Sequence, residues 1–435
     1  MGERVQLPWG DDETVTLTLP DGWNIKETLA PSRPRTIEDL DAELDRVMKS
    51  PTGLSPLGRF AKERGQTVCI VVDDRTRPTP VARILPRVVD ELSDAGIRDE
   101  DMTVLIALGT HRDMTGEEIE KRLGAVMAKR LRVVNHRYDD PDQVRAVGKT
   151  PTHGVPTTFN KLVAEADTVV SIGCIEAHEQ AGFGGGYKNL MPGVAGPEPI
   201  FFTHNAAFQK PPRISSSGMP REICKFRKAV DECGALLGDK VFIVNVVLDP
   251  VEPMAIVAGH PIKAHQEGAR IYGEMASVEL SEKCDVVLFS SNPLDVDLRV
   301  SFKACFNASA ALKKGGLFVT VSRAPEGLGD LRLPDRLPSF AGTGVRMVPM
   351  KLLEKVGPKF NPSPDQAAGT VSLIKTLRLA RDWLYLTTTD GHPALSTLGI
   401  KFYNDPEEMM KRAGQIKPRA EVALLPRAGA SYIGW

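Results

Sequence analysis

The densest run of chemically capable residues in this sequence is Gly173-Cys174-Ile175-Glu176-Ala177-His178-Glu179-Gln180-Ala181-Gly182-Phe183-Gly184-Gly185-Gly186-Tyr187-Lys188. It continues through Asn189-Leu190-Met191-Pro192-Gly193-Val194 to Thr203-His204-Asn205. A histidine takes or gives a proton near neutral pH. The consecutive glycines Gly184, Gly185 and Gly186 let backbone N–H groups approach a ligand closely, often a phosphate. Lys188 follows at once, as a phosphate contact or a point of covalent attachment. A solvated surface loop is the plainer alternative. Against it, Ala181, Phe183, Leu190, Met191 and Val194 interleave with the glycines, and a linker would be more polar.

Other segments carry weaker signals. Asp73-Asp74-Arg75-Thr76-Arg77-Pro78-Thr79-Pro80 offers arginines that can grip a carboxylate or phosphate with paired hydrogen bonds, or simply a charged turn whose acids and bases pair. Gly109-Thr110-His111-Arg112 puts a histidine in a loop, where it serves as acid or base or is merely solvated. In Pro293-Leu294-Asp295-Val296-Asp297-Leu298-Arg299-Val300-Ser301-Phe302-Lys303, Arg299 and Lys303 share one helix face, to hold an anion or to form a solvated basic face. His178, His204 and Cys174 match no recognised zinc spacing, so a zinc hydrolase is a weak alternative. No GxGxxG follows the first strand, which argues against an ordinary NAD dehydrogenase.

These segments need elements to position them. Thr67–Val72, Thr103–Leu108, Thr168–Ile172, Val241–Leu248, Val286–Ser290 and Leu317–Val321 are apolar, β-branched runs, as a parallel sheet covered on both faces requires. They alternate with helical stretches, which makes the chain an α/β protein. Thr79 with Pro80 is expected to open a helix over Val81–Leu92, with Pro86 inside it. Thr115 and Glu118 have capping-box spacing before Ile119–Leu123. A polar-studded helix over His260–Val278 leads out of the first domain. The expected division is a cofactor-binding α/β domain over 1–280 and a second α/β domain over 281–414, with 415–435 as a candidate return to the first. The active site would lie in the cleft between them.

Composition sets the class. The chain has 435 residues with 42% hydrophobic and 26% charged, enough for two globular domains. A net charge of −1 supplies no field for nucleic acid or an anionic membrane. No run reaches the ~18 apolar residues of a membrane span. The six cysteines form no CxxC. The expectation is a reduced, cytoplasmic protein.

Taken in order, AHEQAGFGGGYKNLMPGV with His204 ten residues later, DDRTRPTP and GTHR resemble the lactate racemase family over roughly residues 70 to 305. The resemblance implies 2-hydroxyacid racemase or epimerase activity with a nickel-pincer nucleotide, a pyridinium-3,5-bisthiocarboxylic acid mononucleotide whose sulfur arms hold nickel. It implies that Lys188 anchors this group covalently and His204 completes the nickel coordination. His111 and His178 would be the catalytic histidines, Arg77 and Lys303 the substrate-binding residues, and Asp74 an acidic active-site residue. Gly184, Gly185 and Gly186 are expected to line the cofactor. Where lactate-specific members carry Tyr-Gln, this chain has Arg299-Val300, so Arg299 is expected to contact a substrate other than lactate.

The implied chemistry is inversion at C2 by hydride transfer, with the two histidines as acid and base. A hydride-transfer oxidoreductase on 2-hydroxyacids and a noncatalytic nucleotide- or anion-binding paralogue are the alternatives. The expected partners are a small 2-hydroxyacid and the proteins that assemble the cofactor, with no nucleic acid and no membrane.

Overall fold

The computed structural model describes residues 2–10, 12–32, 36–209, 211–249, 252–329, 331, 333–347, 349 and 364–435. Two six-stranded sheets organise them. The first runs, in spatial order, Glu252–Gly259, Val241–Asp249, Thr168–Ile175, Val68–Asp73, Met102–Ala107 and Arg132–Asn135. Its strands are parallel except for the Glu252–Gly259 edge. The second runs Ile400–Tyr403, Ala380–Leu386, Leu312–Val321, Cys284–Ser290, Ala420–Leu425 and Trp23–Thr28, all parallel. The α/β class read from the sequence is what the chain adopts.

The central strands are buried along their whole length, which is why they read as unbroken Val/Ile/Leu runs. One face of the first sheet packs on the helices Leu40–Lys49, Leu57–Lys62 and Val81–Asp94. The other face packs Phe159, Val163, Leu190, Met191, Val194, Phe226 and Val230. Leu190, Met191 and Val194 are fully buried, so the glycine-rich segment is rooted in this core. No described helix is long and apolar enough to cross a membrane.

Strand order fixes where chemistry can happen. In the first sheet the chain moves outward from Val68–Asp73 through two strands, then returns to place Thr168–Ile175 on its other side. The crevice beyond the carboxyl ends of those two strands is a topological switch point, where open α/β sheets bind ligands. It receives the Asp74–Pro80 loop and the Glu176–Lys188 loop. In the second sheet the same reversal occurs at Cys284–Ser290, which feeds the Leu298–Ala308 helix carrying Lys303.

Several boundaries differ from the sequence reading. Within the expected 1–280 unit, Trp23–Thr28 is a strand of the second sheet, and the hairpin before it packs on that sheet. That hairpin, Arg4–Trp9 with Glu13–Thr18, packs Val5, Leu7, Leu17 and Leu19 on Val286, Leu288 and Val319. The 415–435 return is divided. Ala420–Leu425 lies inside the second sheet, while Tyr432 packs with Ile175, Ile243 and Tyr272 of the first unit. Parallel pairing is non-local, so no local pattern near residue 20 or 420 announces its partner.

The Thr115–Glu118 capping box is present. Thr79 does not cap the Val81–Asp94 helix, because its hydroxyl donates to the Asp73 carboxylate instead. The helix read over His260–Val278 runs Lys263–Ala276.

A chain starting at Leu40 would strip Leu7, Leu17 and Leu19 from the second sheet. Full burial of these side chains is worth about 5–9 kcal/mol at ~1.5–3 kcal/mol each, comparable to a whole domain's net stability of about 5–15 kcal/mol. The truncated chain is expected to lose cooperative unfolding of the second unit, read by chemical denaturation. Unchanged two-unit unfolding would place this segment outside the core.

Candidate active site

His111 follows the Met102–Ala107 strand, and its Nδ1–H donates to Asp74 Oδ2 at 2.6 Å. This assigns the ring proton of neutral His111 to Nδ1 and the lone pair to Nε2. Asp74 Oδ1 also accepts from the backbone and hydroxyl of Thr76, at 3.1 and 2.6 Å. Burial opposes ionisation of Asp74, but the hydrogen bond and charge of His111, with Thr76 and Arg77, hold it well below the usual carboxylate range. The loop itself is clamped by Arg122, which donates to the carbonyls of Asp73 and Arg77 at 3.0 and 2.9 Å and pairs with the Asp73 carboxylate.

Arg77 pairs with Glu176 at 2.9 Å across the switch point. Burial works against its charge, yet Glu176 and the acids around it keep the guanidinium firmly protonated. Glu176 follows the Thr168–Ile175 strand and precedes His178, so this ion pair ties the two loops together. The sequence offered Glu176 and Glu179 as acids without a pattern, and their partners come from distant segments.

His178 is 6% exposed. Its Nδ1 accepts from the backbone N–H groups of Gln180 and Ala181, at 3.2 and 3.3 Å. A neutral His178 therefore carries its proton on Nε2, the opposite assignment to His111. Burial, then the charges of Lys188, Arg77, Lys303 and Arg227, pushes its pKa well below the ordinary value. Glu179 Oε2 stands 3.7 Å from the same Nδ1. Burial would neutralise Glu179, but Lys303, Arg77 and Lys188 keep it ionised.

Lys188 lies in the short helical turn Gly186–Asn189. Its pKa is lowered to about 7, by burial first, then by Arg77, with Arg227 and Lys303 adding and Glu179 opposing. A large fraction of its amine is thus neutral, and nucleophilic, at physiological pH. His204 follows the Pro197–Thr203 helix, and its Nδ1 donates to the Ile200 carbonyl at 3.0 Å. That hydrogen bond puts the lone pair on Nε2, the state a metal ligand requires. Phe226 packs against both rings, stacked on His178 at 6.4 Å and edge-on to His204 at 5.0 Å.

Lys303 extends from the second unit's helix into the field of His178, Glu179 and Lys188. Arg299 lies one turn earlier on that helix, partly buried. Asp295 precedes that helix, and its carboxylate accepts from Gly10 N–H at 2.8 Å. Two of the three glycine N–H groups have partners within the fold. Gly184 N–H donates to the Glu176 carbonyl and Gly186 N–H to Asn245 Oδ1, both at 2.8 Å. These two donors are spent within the fold. Gly185 has φ +71°, and a Cβ there would lie 2.7 Å from Ile175 and 2.8 Å from Asn245.

Residues 10–215 match the lactate racemase N-terminal domain. The lactate racemase of Lactiplantibacillus plantarum is 31% identical over 334 residues, covering 75% of this chain and 76% of that protein. The chain belongs to the lactate racemase family. The lactate racemase of Thermoanaerobacterium thermosaccharolyticum is 29% identical over 331 residues, covering 75% and 76%. The structure of that organism's lactate racemase apoprotein superposes with a TM-score of 0.83 at 25% identity, covering 99% of this chain and 100% of that one. A Thermotoga maritima protein shares the fold alone, with a TM-score of 0.60 at 20% identity over 87% of this chain and 96% of that one. As a member of this racemase family the protein is an enzyme of the isomerase class.

Amine acylation of Lys188 in the apoprotein, followed by peptide mass spectrometry, is expected to rise with pH through a midpoint near 7. A midpoint close to the ordinary lysine value of about 10.4 would remove the desolvated, cation-flanked amine from the site.

Proposed function

We propose that this enzyme inverts C2 of a 2-hydroxyacid using a nickel-pincer nucleotide attached to Lys188. The observation that carries the proposal is the convergence of His111, His178, Lys188, Arg77 and Lys303 on one switch-point crevice in a chain of this family. The residues fit the group. Lys188 offers a neutral amine, and His204 offers an imidazole with its lone pair on Nε2. Among the described residues no group of three or more His, Cys, Asp and Glu could hold a metal ion. A metal at His204 therefore needs its other ligands from a bound organic group, which the two sulfur arms would provide. Cofactor-assembly proteins would load it.

When bound, that group supplies a hydride acceptor beside C2, tuned by its metal. This suits a carbon whose hydrogen is not acidic, because removing a proton next to a carboxylate would place negative charges side by side. Arg77 and Lys303 hold the carboxylate. His111 takes the hydroxyl proton at Nε2, and Asp74 stabilises the imidazolium that forms. A planar 2-oxo acid then turns to present its other face, the hydride returns to C2 there, and a His178 protonated from solvent gives its Nε2 proton to the oxygen while His111 releases its own proton to solvent. The Glu179 carboxylate, 3.7 Å from His178 Nδ1, offsets the charge of a protonated His178. Arg299 beside Lys303 favours a substrate with a second anionic or polar group, such as a diacid or sugar acid.

Intact mass and metal analysis of protein made with the cofactor-assembly enzymes test this reading. The native chain is expected to carry one covalent adduct and stoichiometric nickel. Lys188→Ala should lose the adduct, and His204→Ala should lower nickel occupancy. His111→Ala and His178→Ala should keep the cofactor and lose inversion by ~10²–10⁴-fold each. Native-rate inversion in either histidine variant would end the two-histidine scheme, and release of oxo acid without inversion would mark an oxidoreductase.

The same holoenzyme reports on the substrate. Arg299→Gln is expected to lose activity on dicarboxylic or polyhydroxy acids more than on lactate. Equal losses across such a panel would return Arg299 to a surface role.

A further inference from the structure

We propose that Arg227 is a positioning residue of the active site, holding the loop that carries His178 and Lys188 through three of its backbone carbonyls. This rests on the reading of Lys188 as the attachment point and goes beyond it, since no part of the cofactor need touch Arg227.

Arg227 lies on the Lys225–Ala235 helix and is 1% exposed. Its guanidinium donates to the carbonyls of Ala181 and Gly185, at 3.4 and 3.2 Å, and to that of Phe183. Those alternate residues turn their carbonyls to one side, and Gly182 and Gly185 make that possible with φ of +76° and +71°. Asp231, one turn later, stands 3.7 Å from Arg227 Nη1 and is itself held by Arg221 at 2.6 Å. A buried arginine survives only when its donors are met, and here the loop meets them. The planar fork spreads three separate nitrogens over three carbonyls, a reach that the single ammonium nitrogen of lysine does not reproduce.

The opposite side of the loop is pinned too. His265 Nε2 donates to the Gly184 carbonyl at 2.8 Å, and Asn245 accepts from Gly186. Lys188 follows this fixed stretch directly, among Arg77 from the neighbouring loop, Glu179 from its own loop, Arg227 from beneath and Lys303 from the second unit. Arg227 thus has two effects on Lys188. It fixes the loop in place, and it adds a permanent positive charge that disfavours the ammonium form.

The experiment uses the full-length apoprotein, so it does not depend on cofactor loading. Lys188 acylation is followed against pH, and hydrogen exchange is followed over residues 182–188. In Arg227→Met the acylation midpoint is expected to rise by about one pH unit, and exchange should quicken at least tenfold. Arg227→Lys keeps the charge and loses the fork. Its midpoint should stay near the native one while exchange still quickens. If the Met variant does not fold, the exchange rate in the Lys variant decides alone. An unmoved midpoint in folded Arg227→Met, or native exchange in Arg227→Lys, overturns the proposal. A native protein whose Lys188 titrates as an ordinary lysine instead undermines the attachment reading itself.

Discussion

The candidate site is organised around Lys188, half-buried and surrounded by fixed positive charge. An ammonium in that position is disfavoured twice, by lost hydration and by Arg77, Arg227 and Lys303. Those three cations sit on three different elements: the loop after the Val68–Asp73 strand, the Lys225–Ala235 helix and the Leu298–Ala308 helix. Lys188 is consequently sensitive to the assembly of both units. Its reactivity is a property of the whole fold, since a free lysine would be almost entirely protonated at neutral pH.

The same cations organise the acids and histidines around them. Arg77 is tethered by Glu176, which leaves it oriented without leaving it mobile. Glu179 stays ionised among Lys303, Arg77 and Lys188, which prevents the crevice from becoming a simple excess of positive charge. The two histidines divide the labour through their neighbours. Asp74 draws the proton of His111 to Nδ1, whereas two backbone N–H groups claim Nδ1 of His178.

Packing supplies the precision. Leu190, Met191 and Val194 anchor the downstream end of the catalytic loop in the core, and Arg227, Asn245 and His265 occupy its polar groups. The glycines of this loop let other groups come close, and Gly184 and Gly186 turn their N–H groups inward. Sequence inspection assigns glycine runs to phosphate readily, because their N–H groups are assumed to face outward. The side chain that claims Gly186 N–H belongs to Asn245, far along the chain, and nothing near the glycines discloses it.

The sequence alone determined the α/β class, the buried strands, the capping box at Thr115 and the segments that hold the site, because those signals are local. Burial on both faces of a sheet forces continuous Val/Ile/Leu runs, and a cap requires its partner three residues away. The family resemblance then connected His111, His178, Lys188 and His204 before any geometry was known. Only tertiary structure decided that residues 23–28 complete the second sheet, that Glu176 serves Arg77, and that Arg227 supports the glycine loop. A sequence-level hint of Arg227 existed, since it and Asp231 lie four apart on a helix whose buried face also carries Phe226, Val230 and Cys233. Parallel strand pairing and long-range ion pairs join residues with no periodic relation in the chain. Their partners are chosen by which surfaces the fold brings together, and that choice leaves no local trace.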